Sequence, residues 1–163
     1  MVYVAGPDAC AYLQGQLSQD VDALATAEAA FTFVLQPTGK VDAWLRITRM
    51  ADDAFLLDVE AGWGEVVLVR LTRFLLRTDC TVEVLDWELV TVMDAEPDMV
   101  DIPMGGVAVP VDWPGLKGVD LLGPSVVIPD SIKEVDGSAW EYRRIAAGIP
   151  TDRKSTRLNS SHW

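Results

Sequence analysis

The stretch AFTFVLQPTGKVDAWLRITR, residues 30–49, holds two alternating runs separated by Pro37, Thr38 and Gly39. Alternation with a period of two is typical of β-strands that bury one face. A proline with fixed φ, followed by a glycine that can take positive φ, favours a tight reversal. This stretch therefore predicts a β-hairpin, and the rest of the fold is built around it.

The second strand of the hairpin is predicted to have an apolar face and a polar face. The apolar face is formed by Val41, Ala43, Leu45 and Ile47, and the polar face by Asp42, Trp44, Arg46 and Thr48. A carboxylate beside an indole could accept hydrogen bonds from a flat ligand ring and stack on it. The alternative is a solvent-facing Asp42 and a Trp44 that covers a helix or a loop. The residues alone leave both interpretations open.

Further elements are predicted on either side of the hairpin. VYVA begins the chain as a strand, and a helix follows from Pro7 with an apolar stripe at four-residue spacing. DDAFLLDVE predicts a third strand, GWGEVVLVRLTRFLLRTD the strongest helix, and CTVEVLDWELVTVMD further strands. Two helices between groups of strands predict an α+β fold, with the helices packed on one face of an antiparallel sheet.

The segment from residue 95 to residue 150 is interrupted by proline and glycine. GVAVPV and SVVIP predict short strands, with connections that the pattern does not assign. SAWEYRRIAAGIP predicts a closing helix with Ser138 as its N-cap, Glu141 in the capping-box position, Gly148 as its C-cap and Pro150 beyond it.

Composition limits the classes of partner. The chain has 163 residues, half of them hydrophobic, which is enough for the core of one domain. It carries 13 basic and 25 acidic residues, and three of the basic residues lie in the last eleven positions, which hold no acid. So acidic a body repels phosphate backbones and anionic lipid, and we expect no nucleic-acid or membrane partner. Without an apolar run or a signal peptide at its start, the chain is expected to be cytoplasmic.

Few reactive side chains are present. The single histidine, His162, is in the terminal segment, so the body has no imidazole for nucleophilic catalysis or metal binding, and we assign no catalytic residue and no metal site. Cys10 and Cys80 match no metal or redox spacing and are expected to be reduced thiols. Arg70 and Arg77 form a predicted basic helix edge that could contact an anionic group. Ion pairs within the chain are the alternative that the acidic composition favours.

Four ordered segments, GPDACAYLQGQLSQDV, LQPTGKVDAWLRI, RLTRFLLRTDCTVEV and EYRRIAAGIP, resemble the YgfZ-like folate-binding proteins. These are relatives of the aminomethyltransferase, or T-protein, of the glycine cleavage system. The resemblance implies a folate-binding domain of interleaved strand-helix units, with tetrahydrofolate or a one-carbon derivative as its ligand. It also implies an accessory role in the assembly or repair of iron–sulfur proteins, which would be its protein partners.

The resemblance implies a folate site along the hairpin. It makes Asp42 and Trp44 the predicted ligand wall, with Tyr12, Gln14 and Gln16 as further lining residues. T-proteins carry two glycines and then two adjacent acids here, and this chain keeps Gly39 and Asp42 but has Lys40 and Ala43 at the other two positions.

The missing acid favours folate binding without transfer chemistry. One alternative is a tetrahydrofolate-dependent aminomethyltransferase in which Asp42 orients or protonates the reacting nitrogen. Another is an acidic interaction domain without a ligand.

We expect residues 1–152 to form a partial folate-binding domain. The family's Lys-Gly-Cys-Tyr-x-Gly-Gln-Glu signature does not occur in the chain, so neither Cys10 nor Cys80 inherits the role of its cysteine. The segment RKSTRLNSSHW, residues 153–163, differs in charge and periodicity and is interpreted as a non-native or disordered tail. The sequence is therefore expected to be a truncated member of the family.

Overall fold

The structure, a computed structural model, describes residues 1–128 and 132–149. It contains two compact units, Met1–Asp86 and the residues from Trp87 onward, which are described separately. The predicted tail at residues 153–163 and the predicted helix stop at Pro150 lie outside the described residues. That residues 1–152 act as one folate-binding domain stays a prediction.

The first unit is built on a five-stranded antiparallel sheet. Its strands are β1 (Val2–Ala5), β2 (Ala29–Leu35), β3 (Val41–Ala51), β4 (Ala54–Val59) and β5 (Thr81–Val84), in the order β2-β3-β4-β1-β5. The predicted hairpin is confirmed, because β2 and β3 pair from Ala29 opposite Thr48 to Val34 opposite Ala43. Gly39 takes φ of 78° in the connecting turn.

Two helices cover one face of this sheet, as the sequence predicts. They are α1 (Ala9–Gln14) and α2 (Gly64–Thr72). The core between helices and sheet is formed by Val2, Val4, Ala9, Leu13, Ala43, Leu45, Ile47, Phe55, Leu57, Val67 and Leu71. Burial of these apolar side chains is the main stabilising term of the unit.

Both helices end earlier than predicted. Gly15 is the residue that ends α1, rather than a glycine inside it. Helix α2 ends at Thr72, because the amides of Phe74 and Leu75 bond to carbonyls three residues back and tighten the chain. Arg77 then takes φ of 59°, which no helix allows.

The second unit contains a three-stranded antiparallel sheet with the order β6-β8-β7. Its elements are β6 (Glu88–Met93), a 3₁₀ turn (Pro97–Met99), β7 (Val107–Trp113), β8 (Leu116–Gly123) and α3 (Gly137–Ala146). Strand β8 was not predicted from the sequence, because its glycines resemble turn signals. A Cβ on Gly118 would lie 2.4 Å from the carbonyl oxygen of Val92, so close strand approach is what requires glycine there.

Two further predictions for the second unit need correction. The strand predicted in SVVIP is wrong, since residues 125–128, the described part of this stretch, contain none. Helix α3 is capped by Asp136 and not by Ser138, because the Asp136 Oδ1 atom accepts from the amides of Ser138 and Ala139 at 2.9 and 3.0 Å. A carboxylate is a stronger acceptor than a hydroxyl at the positive end of a helix. Glu141 bonds to Arg144 instead of closing a capping box.

Gly6, in the turn between β1 and α1, provides a test of the first unit. It takes φ of 138°, and a Cβ there would lie 2.5 Å from the carbonyl oxygen of Asp79. Gly6→Ala should lower the free energy of unfolding by about 2–4 kcal/mol, from strain and backbone overlap together. Urea denaturation followed by circular dichroism measures the change.

Gly15→Ala is the matched control, because Gly15 has negative φ and its Cβ would meet only the carbonyl oxygen of Tyr12 at 3.5 Å. This control should change the free energy of unfolding by no more than about 0.5 kcal/mol. Equal stability of the two variants would contradict the described turn.

Candidate functional site

Asp42 lies at a β-bulge near the turn of the hairpin. Val34 faces Ala43, but the next residue, Leu35, faces Val41, so Asp42 is the additional residue in β3. A bulge interrupts the alternation of side chains and redirects those beside it. Accordingly Val41 is 54% exposed and does not join Ala43 in the core, contrary to the predicted apolar face.

The bulge directs the Asp42 side chain toward helix α2. Its Oδ2 atom accepts a hydrogen bond from the Arg70 Nε atom at 2.9 Å. Its Oδ1 atom accepts from the Gln36 Nε2 atom at 2.5 Å. Both carboxylate oxygens are therefore held by donors, while the side chain remains 24% exposed. The carboxylate is preorganised and still reachable from solvent.

Arg70 links Asp42 to two other segments. Its Nη1 atom donates to the Gln16 Oε1 atom at 3.1 Å, and its Nη2 atom donates to the carbonyl oxygen of Leu35. The guanidinium carbon lies 4.3 Å from the centre of the Phe74 ring, within the range of a cation–π contact. Arg70 thus joins α2 to both strands of the hairpin and to the segment after α1.

Trp44 lies on the other face of β3. Its neighbours Ala43 and Leu45 point into the core beneath α2, so Trp44 points away from that helix. Its ring stacks on Phe31, with centroids 4.9 Å apart and planes at 13°. The structure therefore does not bring Asp42 and Trp44 together on one wall. The bulge between Val41 and Ala43 is the physical reason.

The remaining predicted lining residues have different surroundings. Tyr12 is buried and its hydroxyl donates to the carbonyl oxygen of Leu71 at 2.6 Å. Burial raises the pKa of Tyr12 to about 12. Gln14 is exposed, and its Oε1 atom accepts from the amides of Val21 and Asp22. Gln14 therefore braces a loop, whereas Gln16 is connected to Asp42 through Arg70.

The predicted basic edge of α2 is not continuous. Arg70 is in the helix and pairs with Asp42, which is the ion pair within the chain that the sequence left open as an alternative. Arg77 lies beyond the end of the helix and is exposed. The two side chains are consequently not one heptad apart on a single helical face.

Gln36 and Phe74 also belong to this network, although neither was predicted from the sequence to lie at the site. Gln36 lies directly before the turn. Its backbone N–H donates to the carbonyl oxygen of Lys40 at 2.8 Å, and this bond closes the hairpin end beside Asp42. Phe74 follows Arg70 by four positions. That spacing brings the side chains together in a helix and could have predicted the contact.

Within residues 1–128 and 132–149, no group of three or more His, Cys, Asp or Glu side chains could hold a metal ion. In the same part of the chain, no helix is long and apolar enough to cross a membrane.

The Cys10 thiol donates to the Asp22 Oδ1 atom at 3.1 Å. Burial first, and this hydrogen bond second, raise the pKa of Cys10 to about 11, so the thiol is protonated at neutral pH.

The arrangement can be compared with known proteins. No protein-family model matches the chain. It is 30% identical over 93 residues to an uncharacterised protein of Haemophilus influenzae, covering 57% of this chain and 33% of that protein. It is 42% identical over 61 residues to an aminomethyltransferase of Lysinibacillus sphaericus, covering 37% of this chain and 17% of the relative.

Among solved structures, the chain is similar to the glycine cleavage system aminomethyltransferase T from Bartonella henselae. The TM-score is 0.66 at 18% sequence identity, over 76% of this chain and 39% of that chain. The fold is therefore an α+β fold of the aminomethyltransferase type, as the sequence predicts. The chain spans about a third, or less, of the length of the curated relatives it matches.

Tyr12→Phe tests the described environment of Tyr12. At pH 8 the variant should be less stable by about 1 kcal/mol, because the Leu71 carbonyl loses its buried donor. In the folded wild type the pKa of about 12 lies above the ordinary tyrosine value of about 10. The unfolded chain thus loses its proton first, and the stabilisation falls as pH rises from about 10 to 12.

The difference in stability between wild type and Tyr12→Phe should consequently shrink across that alkaline range. Urea denaturation at several pH values measures it. Tyr142→Phe is the control, since Tyr142 is 76% exposed and its substitution should change the free energy of unfolding by no more than about 0.5 kcal/mol. A constant difference between wild type and Tyr12→Phe would contradict the buried hydroxyl.

Proposed function

We propose that this chain binds tetrahydrofolate or a one-carbon derivative, and that it acts as an accessory protein rather than as an enzyme. The observation that carries the proposal is the Asp42 carboxylate, fixed at the bulge by Arg70 and Gln36 within a fold of the aminomethyltransferase type. Of the residues predicted to line the site, Asp42 and Gln16 are those that this network connects.

A fixed carboxylate suits the pterin ring of a folate. The edge of that ring carries amino and amide N–H donors, and an ionised carboxylate offers only acceptors, about four lone-pair sites in all. Arg70 and Gln36 each use one of these sites, which leaves acceptor capacity for the ligand. Because the carboxylate is already ordered, ligand binding need not immobilise it.

Trp44 has a different place in the proposal. Its ring is stacked on Phe31, on the face of β3 away from α2, so a ligand that meets Asp42 from the α2 side does not stack on it. Trp44 remains a candidate for a separate stacking contact. Arg77 is a candidate contact for the glutamate carboxylates of a folate, whereas Tyr12 and Gln14 would support the site by bracing α1 and its loop.

The accessory role follows the YgfZ branch of the resemblance. In this reading the chain supports the assembly or repair of iron–sulfur proteins in the cytoplasm. One observation supports the accessory role. Ala43 stands where the T-protein pattern has its second acid, and Ala43 is buried in the core and has no group for acid–base catalysis.

Aminomethyl transfer is the second candidate. It is favoured by the segment that is 42% identical to an aminomethyltransferase. In this candidate Asp42 would orient or protonate the reacting nitrogen of tetrahydrofolate. Both Asp42 oxygens already accept hydrogen bonds, from Arg70 and Gln36, which favours a role in holding the ligand.

Isothermal titration with 5-formyltetrahydrofolate tests the binding proposal. Wild type should bind saturably, and Asp42→Asn should weaken binding about tenfold or more, because an amide cannot replace an ionised acceptor. Asp52→Asn is the matched control, since that side chain is 99% exposed and its substitution removes the same charge. Equal affinity of the two variants would remove Asp42 from the site.

The two functional candidates differ in their products. We expect no ammonia when the chain is mixed with tetrahydrofolate and an aminomethylated carrier protein, and we expect reduced activity of iron–sulfur enzymes in cells that lack the gene. An active aminomethyltransferase serves as the positive control for the assay. Release of ammonia by wild type, abolished by Asp42→Asn, would establish transfer and overturn the accessory role.

A further inference from the structure

Arg70 stands at the centre of the candidate site. Its three guanidinium nitrogens donate to three different segments: Asp42 in β3, the carbonyl at the end of β2, and Gln16 after α1. The side chain is only 14% exposed, and Phe74 covers one face of its guanidinium plane. A buried cation with this many acceptors has a defined position.

The position of the Asp42 carboxylate depends on its hydrogen bonds to Arg70 and Gln36. At the bulge, Leu35 faces Val41 and the regular strand register does not place Asp42 opposite a residue of β2. Arg70 donates both to the Asp42 carboxylate in β3 and to the Leu35 carbonyl oxygen in β2, so it contacts both strands at the bulge. It therefore holds the end of the hairpin against α2.

We propose that Arg70 is a positioning residue of the folate site, acting on the ligand through Asp42 and not by contact with it. The inference rests on the proposed function. Three of the five N–H donors of Arg70 already meet protein acceptors, and one face of its guanidinium is stacked on Phe74, so protein contacts fix the position of this side chain. Asp42 is the member of the network that presents acceptor capacity to a ligand.

Lysine cannot substitute for Arg70 in this role. An ammonium group is a compact charge with three donors, whereas a guanidinium presents five donors in a rigid planar fork that also stacks on a ring. Arg70→Lys keeps the charge and loses the simultaneous contacts with Asp42, Gln16 and Leu35. Arg73→Lys is the matched control, since Arg73 follows the same helix, lies 6.0 Å from the same Phe74 ring and is exposed.

The test is a double-mutant cycle with 5-formyltetrahydrofolate, measured by titration calorimetry. Arg70→Lys should weaken binding about tenfold, and Arg73→Lys should leave the dissociation constant unchanged. In the Asp42→Asn background, Arg70→Lys should cause no further loss. An undiminished loss in that background would overturn the proposal, because it would place Arg70 in direct contact with the ligand.

Amide hydrogen exchange without ligand gives an independent measurement. Arg70→Lys should accelerate exchange in residues 35–43 about tenfold relative to Arg73→Lys, with β1 and β4 unchanged. Unchanged exchange in residues 35–43 would overturn the anchoring role. If wild type does not bind 5-formyltetrahydrofolate, the proposed function fails, and the exchange result alone decides for or against anchoring by Arg70.

Discussion

The ion pair between Asp42 and Arg70 connects the bulged strand of the hairpin to the helix above it. The two residues are 28 positions apart and both side chains are mostly buried. Removing such charges from water is costly, and the cost is offset only where the remaining donors and acceptors are also satisfied. Gln16, Gln36 and the Leu35 carbonyl meet this requirement, so the network holds as a unit and fixes where the carboxylate lies.

Much of the first unit could be predicted from its sequence. The hairpin, strand β4 and the two helices follow from periodicity, because each buries one face against the same core. The bulge could not be predicted, because apolar and polar residues alternate through β3 without a break at the additional residue. That single residue separates Asp42 from Trp44 and brings Asp42 to Arg70. Strand β8 was hidden for another reason, because its glycines serve close strand packing and not turns.

The fold of this chain and the side chains at its candidate site bear on different questions, namely its structural relatives and its activity. A TM-score of 0.66 at 18% identity shows that very different sequences build this fold. A shared fold does not transfer an activity, which depends on particular side chains. In this chain the distinguishing residues lie at the hairpin end, where Lys40 and Ala43 depart from the T-protein pattern while Gly39 and Asp42 keep it. The proposed folate site therefore depends on a few residues around the bulge.

The strand order also governs how the first unit is made. Strand β1 lies inside the sheet, between β4 and β5, although it precedes all the other strands of the unit in the sequence. Val2 and Val4 must await partners from residues 54–57 and 81–84, so the unit cannot complete its sheet until most of it has been synthesised. Contacts between such distant positions slow folding, because a long loop must close before they form. Until those residues are synthesised, Val2 and Val4 lack the two strands that flank them in the completed sheet.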